Sequence, residues 1–203
     1  MSQFKIGQYL NIQGIWLNLK YVFKLHRIKP DIMVDSILDL ELAKLKYEKK
    51  VKYIVFDKDN TLTHPYKIEI EKLLEPKIEE YKKVFGEENL AILSNSAGSK
   101  DDINYLEATK IEKASGLKVV KHFHKKPRVY NDILKTFNLN QSDCINNEIC
   151  VIGDRLLVDI LMGKEYGFFT ILVKPLTLKR ENFVVKILRR FENFLLKCNK
   201  ILP

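Results

Sequence analysis

Several polar side chains stand where apolar runs of the sequence end. Asp57 follows the run VKYIVF, Ser94 follows NLAIL, and Asp154 follows EICVIG. Each of these residues, like Lys126 before Pro127, is by itself more often a helix cap or a solvated loop residue than a functional one. Taken together in the order DxDxT, Ser, KP and GDxxxxD, they indicate one shared cleft that contains carboxylates, a hydroxyl and an ammonium group.

Four carboxylates fall within these segments, namely those of Asp57, Asp59, Asp154 and Asp159. In one cleft they would repel one another strongly, and some would stay protonated near neutral pH. A divalent cation together with a lysine removes that repulsion. A set of hard oxygen ligands favours Mg²⁺, and the sequence lacks the His and Cys spacing that is typical of zinc sites.

The elements that must position these residues alternate between short apolar runs and helical patterns. We predict strands at 51–56, 90–93, 149–152 and 168–173, with a weaker one at 119–121. We predict helices at about 35–47, at 68–85 with an interruption at Pro76, at 101–114 before Gly116, at 128–137, and at 156–166 before Gly167. This alternation predicts an α/β fold whose parallel sheet is covered by helices on both faces. Ligands of such sheets bind beyond the carboxyl ends of the strands, where the polar segments stand.

The positive charge of the chain is concentrated at its two ends. The 203 residues carry a formal net charge of +9, and the first thirty contain five basic residues and no acidic one. The last thirty contain eight basic residues and two acidic ones. The central region is therefore not a basic nucleic-acid footprint. The cysteines Cys144, Cys150 and Cys198 are odd in number and lack CxxC spacing, which argues against a disulfide framework.

We divide the chain into an N-terminal amphipathic segment at 1–50, a catalytic domain at 51–175 and a basic amphipathic helix at 176–203. Aromatic residues, including Trp16, stand beside basic residues near the N-terminus, which suits a helix in a membrane interface or a mitochondrial targeting segment. The alternatives are a helix packed on the domain, a helix in a homo-oligomer contact and a frayed terminus. The sequence contains no run of eighteen apolar residues, which argues against a membrane-spanning helix.

The segments DKDNT (57–61), ILSNS, KKP and GDRLLVD (153–159) resemble those of the haloacid dehalogenase superfamily of phosphotransferases. The resemblance implies a Rossmann-like fold, a Mg²⁺ cofactor and an aspartyl-phosphate formed on Asp57. It also implies that Asp59 protonates the leaving oxygen and then activates water. Carboxyl chemistry agrees with these roles, because a carboxylate is a good nucleophile toward phosphorus and a nearby carboxyl group can transfer the proton.

The same resemblance implies binding roles for the other polar residues. The phosphoryl group would be bound by Thr61, Ser94, Asn95 and Lys126. The metal would be held by Asp57, by Asp154 and by the main-chain carbonyl of Asp59. Asp159 is expected to support Lys126 from behind the metal site, and Lys125 is an alternative to Lys126 as the functional lysine.

The connections that follow the first two motifs are short. Residues 61–94 and 94–126 leave no room for a cap domain, so we expect none. An open cleft encloses a small soluble substrate poorly. A substrate that is held by a protein, a nucleic acid or a membrane is therefore favoured.

Within this superfamily, FDKDNTL, LSNSAGS, HKKP and GDRLLVDILMGKEYG resemble the mitochondrial phosphatidylglycerophosphatases of fungi and the related bacterial YqeG-like phosphatases. The resemblance implies hydrolysis of phosphatidylglycerophosphate to phosphatidylglycerol on the route to cardiolipin. It implies an anionic phospholipid substrate at a membrane surface, with no nucleic-acid partner. It also implies a peripheral position on the matrix side of the mitochondrial inner membrane, or on the cytoplasmic membrane surface in a bacterium.

Two residues beside the catalytic carboxylates are candidates for recognising the head group of phosphatidylglycerophosphate. Lys58 and Arg155 could contact its second phosphate, or Lys58 could project into solvent and Arg155 could bridge locally. Two other classes of function stay open. The first is a phosphatase of protein or nucleic-acid phosphomonoesters, and the second is a non-enzymatic membrane-surface protein, which the complete set of catalytic residues argues against.

Overall fold

The computed structural model describes residues 28–141, 146–179 and 183–198, and its centre is a six-stranded sheet. The strands are β1 (Ile32–Val34), β2 (Tyr53–Asp57), β3 (Leu90–Leu93), β4 (Lys118–Val119), β5 (Ile149–Gly153) and β6 (Phe169–Val173). They lie in the order β1-β6-β5-β2-β3-β4, and every neighbouring pair is parallel. The strand that carries the first motif, β2, is therefore an inner strand between β5 and β3.

Helices cover both faces of this sheet. They are α1 (Glu75–Phe85), α2 (Leu106–Ser115), α3 (Tyr130–Thr136), α4 (Leu161–Tyr166) and α5 (Phe183–Cys198). Shorter 3-10 or π-helical turns lie at Ile37–Asp39, Lys44–Glu48, Lys72–Leu74, Glu87–Asn89, Ile103–Tyr105, Asn146–Glu148 and Leu156–Ile160. Phe56 of β2 packs on one face with Ile78 of α1, and Val55 packs on the other with Ile133 of α3. The predicted α/β fold with a parallel sheet is confirmed.

The sheet begins before the predicted domain boundary at residue 50. β1 pairs with the edge of β6, and Ile37 and Leu45 are buried in the same core as β2. The helix predicted at 35–47 is wrong, because the chain forms two separate short turns there instead. β1 was missed because a strand of three residues is too short to show a hydrophobic period.

The helices predicted at 68–85, 101–114 and 128–137 are present but begin later than their sequence patterns, whereas the one predicted at 156–166 begins at Leu156 with a π-helical turn that continues into α4. Pro76 lies in the first turn of α1 and so marks its start rather than an interruption. α2 starts after Asn104 and Tyr105, whose positive φ angles of 53° and 55° break the helix. Gly116 and Gly167 end α2 and α4 as predicted, each in the left-handed conformation.

Helix α5 packs beside β6 and buries charged side chains together with apolar ones. Its buried residues include Arg189 and Glu192, together with Leu195 and Leu196. Its exposed residues include three large apolar ones, which are Ile187, Phe191 and Phe194. The basic amphipathic pattern predicted for 176–203 groups Arg189 with Lys186, Arg190 and Lys197 on the polar side. That grouping is wrong for Arg189, whose side chain is buried in an ion pair with Asp154.

The ends of the chain are described only in part. All interpretations of residues 1–27 lie outside the described residues, and so do the side chains of Cys144 and Cys198. Cys150 is buried with a free thiol. Among the helices of the described ranges, none is both long enough and apolar enough to cross a membrane.

Candidate active site

The polar motifs meet at the carboxyl ends of β2, β3 and β5. Asp57, the last residue of β2, is level with Leu93 of β3 in the pairing register. Ser94 follows β3 directly, and Asp154 follows β5 directly. The three strands are parallel neighbours, so their polar ends share one edge of the sheet, as the sequence predicted.

Lys126 joins two of the carboxylates at this edge. Its Nζ lies 2.5 Å from Oδ1 of Asp57 and 2.7 Å from Oδ1 of Asp159, and only 1% of its side chain is exposed. Burial lowers the pKa of Lys126, but Asp159 and Asp57 outweigh this effect and leave the pKa raised. Lys125 instead forms an ion pair with Asp101. The geometry therefore favours Lys126 over Lys125 as the functional lysine.

Three carboxylates form a compact group that is unfavourable when fully charged. Asp57, Asp154 and Asp159 each offer an oxygen within 4.8 Å of the others. Burial raises the pKa of Asp57 well above its usual value, and the nearby carboxylates add to the effect while Lys126 opposes it. Burial also raises the pKa of Asp154 to about 7, against the opposing effect of Arg189. This donor set fits a divalent cation that takes oxygen ligands, such as Mg²⁺.

Asp159 has its oxygens occupied by protein donors. Oδ1 accepts from Lys126 and Oδ2 accepts from the main-chain nitrogen of Arg155 at 3.2 Å. These contacts favour the predicted role of Asp159 as a support for Lys126 rather than a metal ligand.

Asp59 lies in the turn after β2, and its side chain is outside this carboxylate group. Its Oδ1 accepts hydrogen bonds from Nζ of Lys58 at 2.7 Å and from the main-chain nitrogen of Tyr66 at 2.9 Å. The Lys58 side chain is 1% exposed. Because its ammonium group is buried and already paired, the structure favours neither of the two predicted alternatives for Lys58, which were a contact with the head group and projection into solvent.

The predicted phosphate-binding hydroxyls are both buried. Oγ1 of Thr61 is shielded from solvent and has no hydrogen-bond partner among the described residues. Oγ of Ser94 accepts from the main-chain nitrogen of Ser96 at 3.2 Å. Asn95 is exposed beside it. Thr61 thus has an unused donor and acceptor at the site, which suits a phosphoryl oxygen.

Comparison with known proteins connects this geometry to one family. The family model described as mitochondrial PGP phosphatase matches residues 12–177. The chain belongs to the mitochondrial PGP phosphatase family. The resemblance that the motifs predicted is therefore confirmed.

Three relatives of this PGP phosphatase family member show how much of each protein the similarity covers. Phosphatidylglycerophosphatase GEP4, mitochondrial, from Saccharomyces cerevisiae is 30% identical over 186 residues, which cover 92% of this chain and 99% of that protein. Phosphatidylglycerophosphate phosphatase 1, chloroplastic/mitochondrial, from Arabidopsis thaliana is 38% identical over 195 residues, which cover 95% of this chain and 54% of that protein. The "Probable phosphatase YqeG" of Bacillus subtilis is 30% identical over 175 residues, with 84% of this chain and 91% of that protein covered. The chain thus spans about half the length of the plant relative and nearly all of the yeast one.

Two residues of the site in this PGP phosphatase family member were missed by the sequence analysis. Arg189 of α5 donates to Oδ2 of Asp154 at 2.6 Å and to its main-chain oxygen at 3.0 Å. Glu192 accepts from Nε of Arg155 at 3.0 Å and from the main-chain nitrogen of Leu157 at 3.0 Å.

These contacts also account for Arg155. The guanidinium engages α5, which favours the predicted local bridge over a contact with the substrate. The available signal in the sequence was Glu192, a single acid at three-residue spacing from Arg189 in an otherwise basic helix. Acid and base at that spacing share one side of a helix, which here is the buried side.

Proposed function

We propose that the chain is a Mg²⁺-dependent phosphatase that hydrolyses the terminal phosphomonoester of phosphatidylglycerophosphate and acts in cardiolipin synthesis. The observation that carries this proposal is the buried Lys126, held between Asp57 and Asp159 at the end of an inner strand. An ammonium group in that position supports a carboxylate nucleophile and offsets the charge of an incoming phosphoryl group. The names of the yeast and plant relatives supply the lipid substrate.

The reaction would proceed in two displacements. Oδ of Asp57 attacks phosphorus while the bond from phosphorus to the glycerol oxygen breaks, and Asp59 gives its proton to that oxygen. Asp59 then takes a proton from water, and the resulting hydroxide attacks phosphorus and releases inorganic phosphate from Asp57. Thr61 and Ser94 would donate hydrogen bonds to the phosphoryl oxygens in both steps.

The metal would be held by Asp57, Asp154 and the main-chain carbonyl of Asp59. A Mg²⁺ ion supplies charge that stabilises the phosphoryl oxygens and lowers the repulsion between the buried carboxylates. Arg189 would keep the Asp154 carboxylate in place while the metal binds, since it also holds the main chain of that residue.

The outer face of α5 is the proposed contact with the membrane surface. Ile187, Phe191 and Phe194 form an exposed apolar stripe on the described part of the chain. The flanking exposed residues include Lys186, Arg190 and Lys197. An apolar stripe between cations complements the interface of an anionic bilayer. The mitochondrial names of the yeast and plant relatives support a mitochondrial location, and the proposal adds a peripheral place on the matrix side of the inner membrane.

The test is phosphate release from phosphatidylglycerophosphate in mixed micelles, with and without Mg²⁺. We expect Mg²⁺-dependent release by the wild type and a loss of at least about 10³-fold in Asp57→Asn, since a nucleophile is removed. The matched control is Asp35→Asn, which neutralises an exposed carboxylate paired with Lys174 and should retain wild-type turnover.

Two outcomes would reject the proposal. Equal release by the wild type and Asp57→Asn would reject the mechanism. Release from a phosphopeptide or a 5′-phosphorylated oligonucleotide, without release from the lipid, would instead support the second class of substrate. Steep salt dependence of oligonucleotide binding would accompany that result.

A further inference from the structure

Lys58 is a lysine whose ammonium group is enclosed by the protein although it lies beside the catalytic turn. Its side chain is 1% exposed, and burial of an ammonium group is costly unless oxygen atoms surround it. Nζ donates to Oδ1 of Asp59 at 2.7 Å and to the main-chain oxygen of Lys67 at 2.9 Å. The ammonium therefore links the first motif to the loop that follows it.

The main chain of Lys58 is held as firmly as its side chain. Its carbonyl oxygen accepts from the main-chain nitrogens of Leu62 and Thr63, each at 3.0 Å. These bonds close the turn that carries Asp59. These hydrogen bonds fix the backbone of Lys58, so its ammonium group is held in one position relative to Asp59.

The two oxygens of the Asp59 carboxylate differ in their surroundings. Oδ1 accepts from Lys58 and from the main-chain nitrogen of Tyr66 at 2.9 Å. Oδ2 has no hydrogen bond or ion pair with protein in the described ranges. The side chain as a whole is 38% exposed, so an atom of the substrate can approach it. Two donors on one oxygen set the orientation of the carboxylate and leave the other oxygen for proton transfer.

We propose that Lys58 is a positioning residue that orients the Asp59 carboxylate so that Oδ2 faces the leaving oxygen of the substrate. This inference rests on the proposed function, in which Asp59 is the general acid. Asp59 transfers its proton from Oδ2 to the leaving alkoxide as the bond from phosphorus to oxygen breaks. Lys58 itself neither gives nor takes a proton and does not touch the substrate.

The test compares two soluble phosphomonoesters that differ in their need for a general acid. The p-nitrophenolate anion leaves without a proton, whereas the alkoxide from n-hexyl phosphate needs one. Neither compound has a second phosphate. The measured quantity is kcat/KM for each in Mg²⁺ buffer, because it includes the step in which the leaving group departs.

The variants are Lys58→Met and Lys58→Gln, with Lys52→Met as the control at an exposed lysine paired with Glu148. We expect both Lys58 variants to lose about 10- to 100-fold in kcat/KM on n-hexyl phosphate and less than about 3-fold on p-nitrophenyl phosphate. Lys52→Met should leave both values unchanged. Both rates scale with the amount of folded enzyme, so their ratio does not depend on how well a variant folds.

Equal losses on the two soluble substrates would overturn the proposal. So would a loss confined to phosphatidylglycerophosphate, which would instead assign Lys58 to the second phosphate of the head group. Turnover of both soluble substrates by the wild type, without turnover of the lipid, would reject the lipid substrate alone and leave the ratio as the test of Lys58.

Discussion

Two buried hydroxyl groups in the described residues lack a hydrogen-bond partner, and their surroundings differ. Oγ1 of Thr61 lies in the turn after β2, within the first motif, whereas Oη of Tyr81 lies in the core. The Tyr81 ring packs edge-on against Phe56 and stacks with Phe85. A buried hydroxyl without a partner destabilises the protein. At Thr61 a bound phosphoryl group would supply the partner, whereas the apolar core around Tyr81 offers none.

Replacing Thr61 with valine should separate binding from stability. Thr61→Val keeps the shape of the side chain and removes the unpaired hydroxyl, so the free energy of unfolding should stay equal or rise by about 1 kcal/mol. The value of kcat/KM should fall by about 10- to 100-fold, because a hydrogen bond to a charged group is lost. Chemical denaturation and steady-state kinetics measure the two effects.

The matched control is Tyr81→Phe, which removes the other unpaired hydroxyl. It should raise the free energy of unfolding by a similar amount and leave kcat/KM unchanged. If Thr61→Val retained full activity, its hydroxyl would have no part in phosphate binding.

The raised pKa of Asp154 predicts how stability depends on pH when Mg²⁺ is absent. The pKa is about 7 in the folded protein, against 3.8 for an ordinary aspartate, because of burial. The folded state therefore binds this proton more tightly than the unfolded state does. The contribution of Asp154 is fully present below pH 3.8 and is lost as the pH rises through about 7. In EDTA, the free energy of unfolding should fall across that range.

Asp154→Asn should flatten this decline, and Asp35→Asn should not, since Asp35 is exposed. Mg²⁺ should raise the melting temperature of the wild type more at about pH 8 than at about pH 5.5, because it binds the deprotonated carboxylates. Thermal unfolding at several pH values tests both statements. Parallel pH profiles for the wild type and Asp154→Asn would contradict the first.

At the scale of elements, α5 is the part of the fold that reaches the site from farthest along the chain. Arg189 and Glu192 are one helical turn apart and hold Asp154 and Arg155, the two residues after β5. Each segment contributes one acid and one base, so Arg189 pairs with Asp154 and Glu192 pairs with Arg155. A buried pair of this kind becomes costly when one partner is lost.

Glu192→Gln should therefore destabilise the protein. The substitution keeps the size of the side chain but leaves Arg155 without its counter-charge, at an expected cost of about 1 to 3 kcal/mol. In the wild type, burial lowers the pKa of Arg155 and Glu192 outweighs this effect, so that the pKa is raised. The variant loses the Glu192 charge, but a guanidinium is not deprotonated in proteins, so Arg155 stays charged there. Urea denaturation measures the change.

The control on the same helix is Asn193→Ala, whose side chain is exposed. Its effect on the free energy of unfolding should stay within about 0.5 kcal/mol. Equal effects of the two substitutions would show that the contact between α5 and Arg155 contributes little.

At the scale of the whole molecule, basic and apolar groups share one exposed helical face while the catalytic edge carries the acids. The net charge is +9, and the exposed residues of α5 contribute Lys186, Arg190 and Lys197 to it. An anionic bilayer would attract this face, and the aromatic rings would enter the interface. Under the proposed function, such a contact would bring the enzyme to its lipid substrate in two dimensions.

Changing both Phe191 and Phe194 to serine should weaken binding to anionic vesicles. Sedimentation with phosphatidylglycerol vesicles measures binding. We expect a loss of about 10-fold or more in affinity, because the variant lacks two aromatic rings that would be buried in the bilayer interface. Turnover of p-nitrophenyl phosphate should not change. The control is Leu73→Ser, which alters a large apolar residue that is more exposed than either phenylalanine and lies outside α5. Unchanged binding by the double variant would assign membrane contact to another part of the chain.

The strands and the order of the motifs could be predicted from sequence because both are local properties. β3 and β5 contain no charged side chain and are followed directly by Ser94 and Asp154, whereas β2 is apolar up to its last residue, Asp57. By contrast, β1 is too short to leave a pattern. Its place in the sheet depends on pairing with β6, more than one hundred residues away.

The sequence by itself therefore determined the α/β class, the strand ends and the family, since apolar periodicity and motif spacing are read along the chain. The tertiary structure decided which partners the charged side chains meet. It placed Lys126 rather than Lys125 on the nucleophile, enclosed Lys58 against Asp59, and turned Arg189 inward. The physical reason is that an ion pair depends on distances of a few ångströms and on burial, which are set by how the chain packs and not by any local pattern of residues.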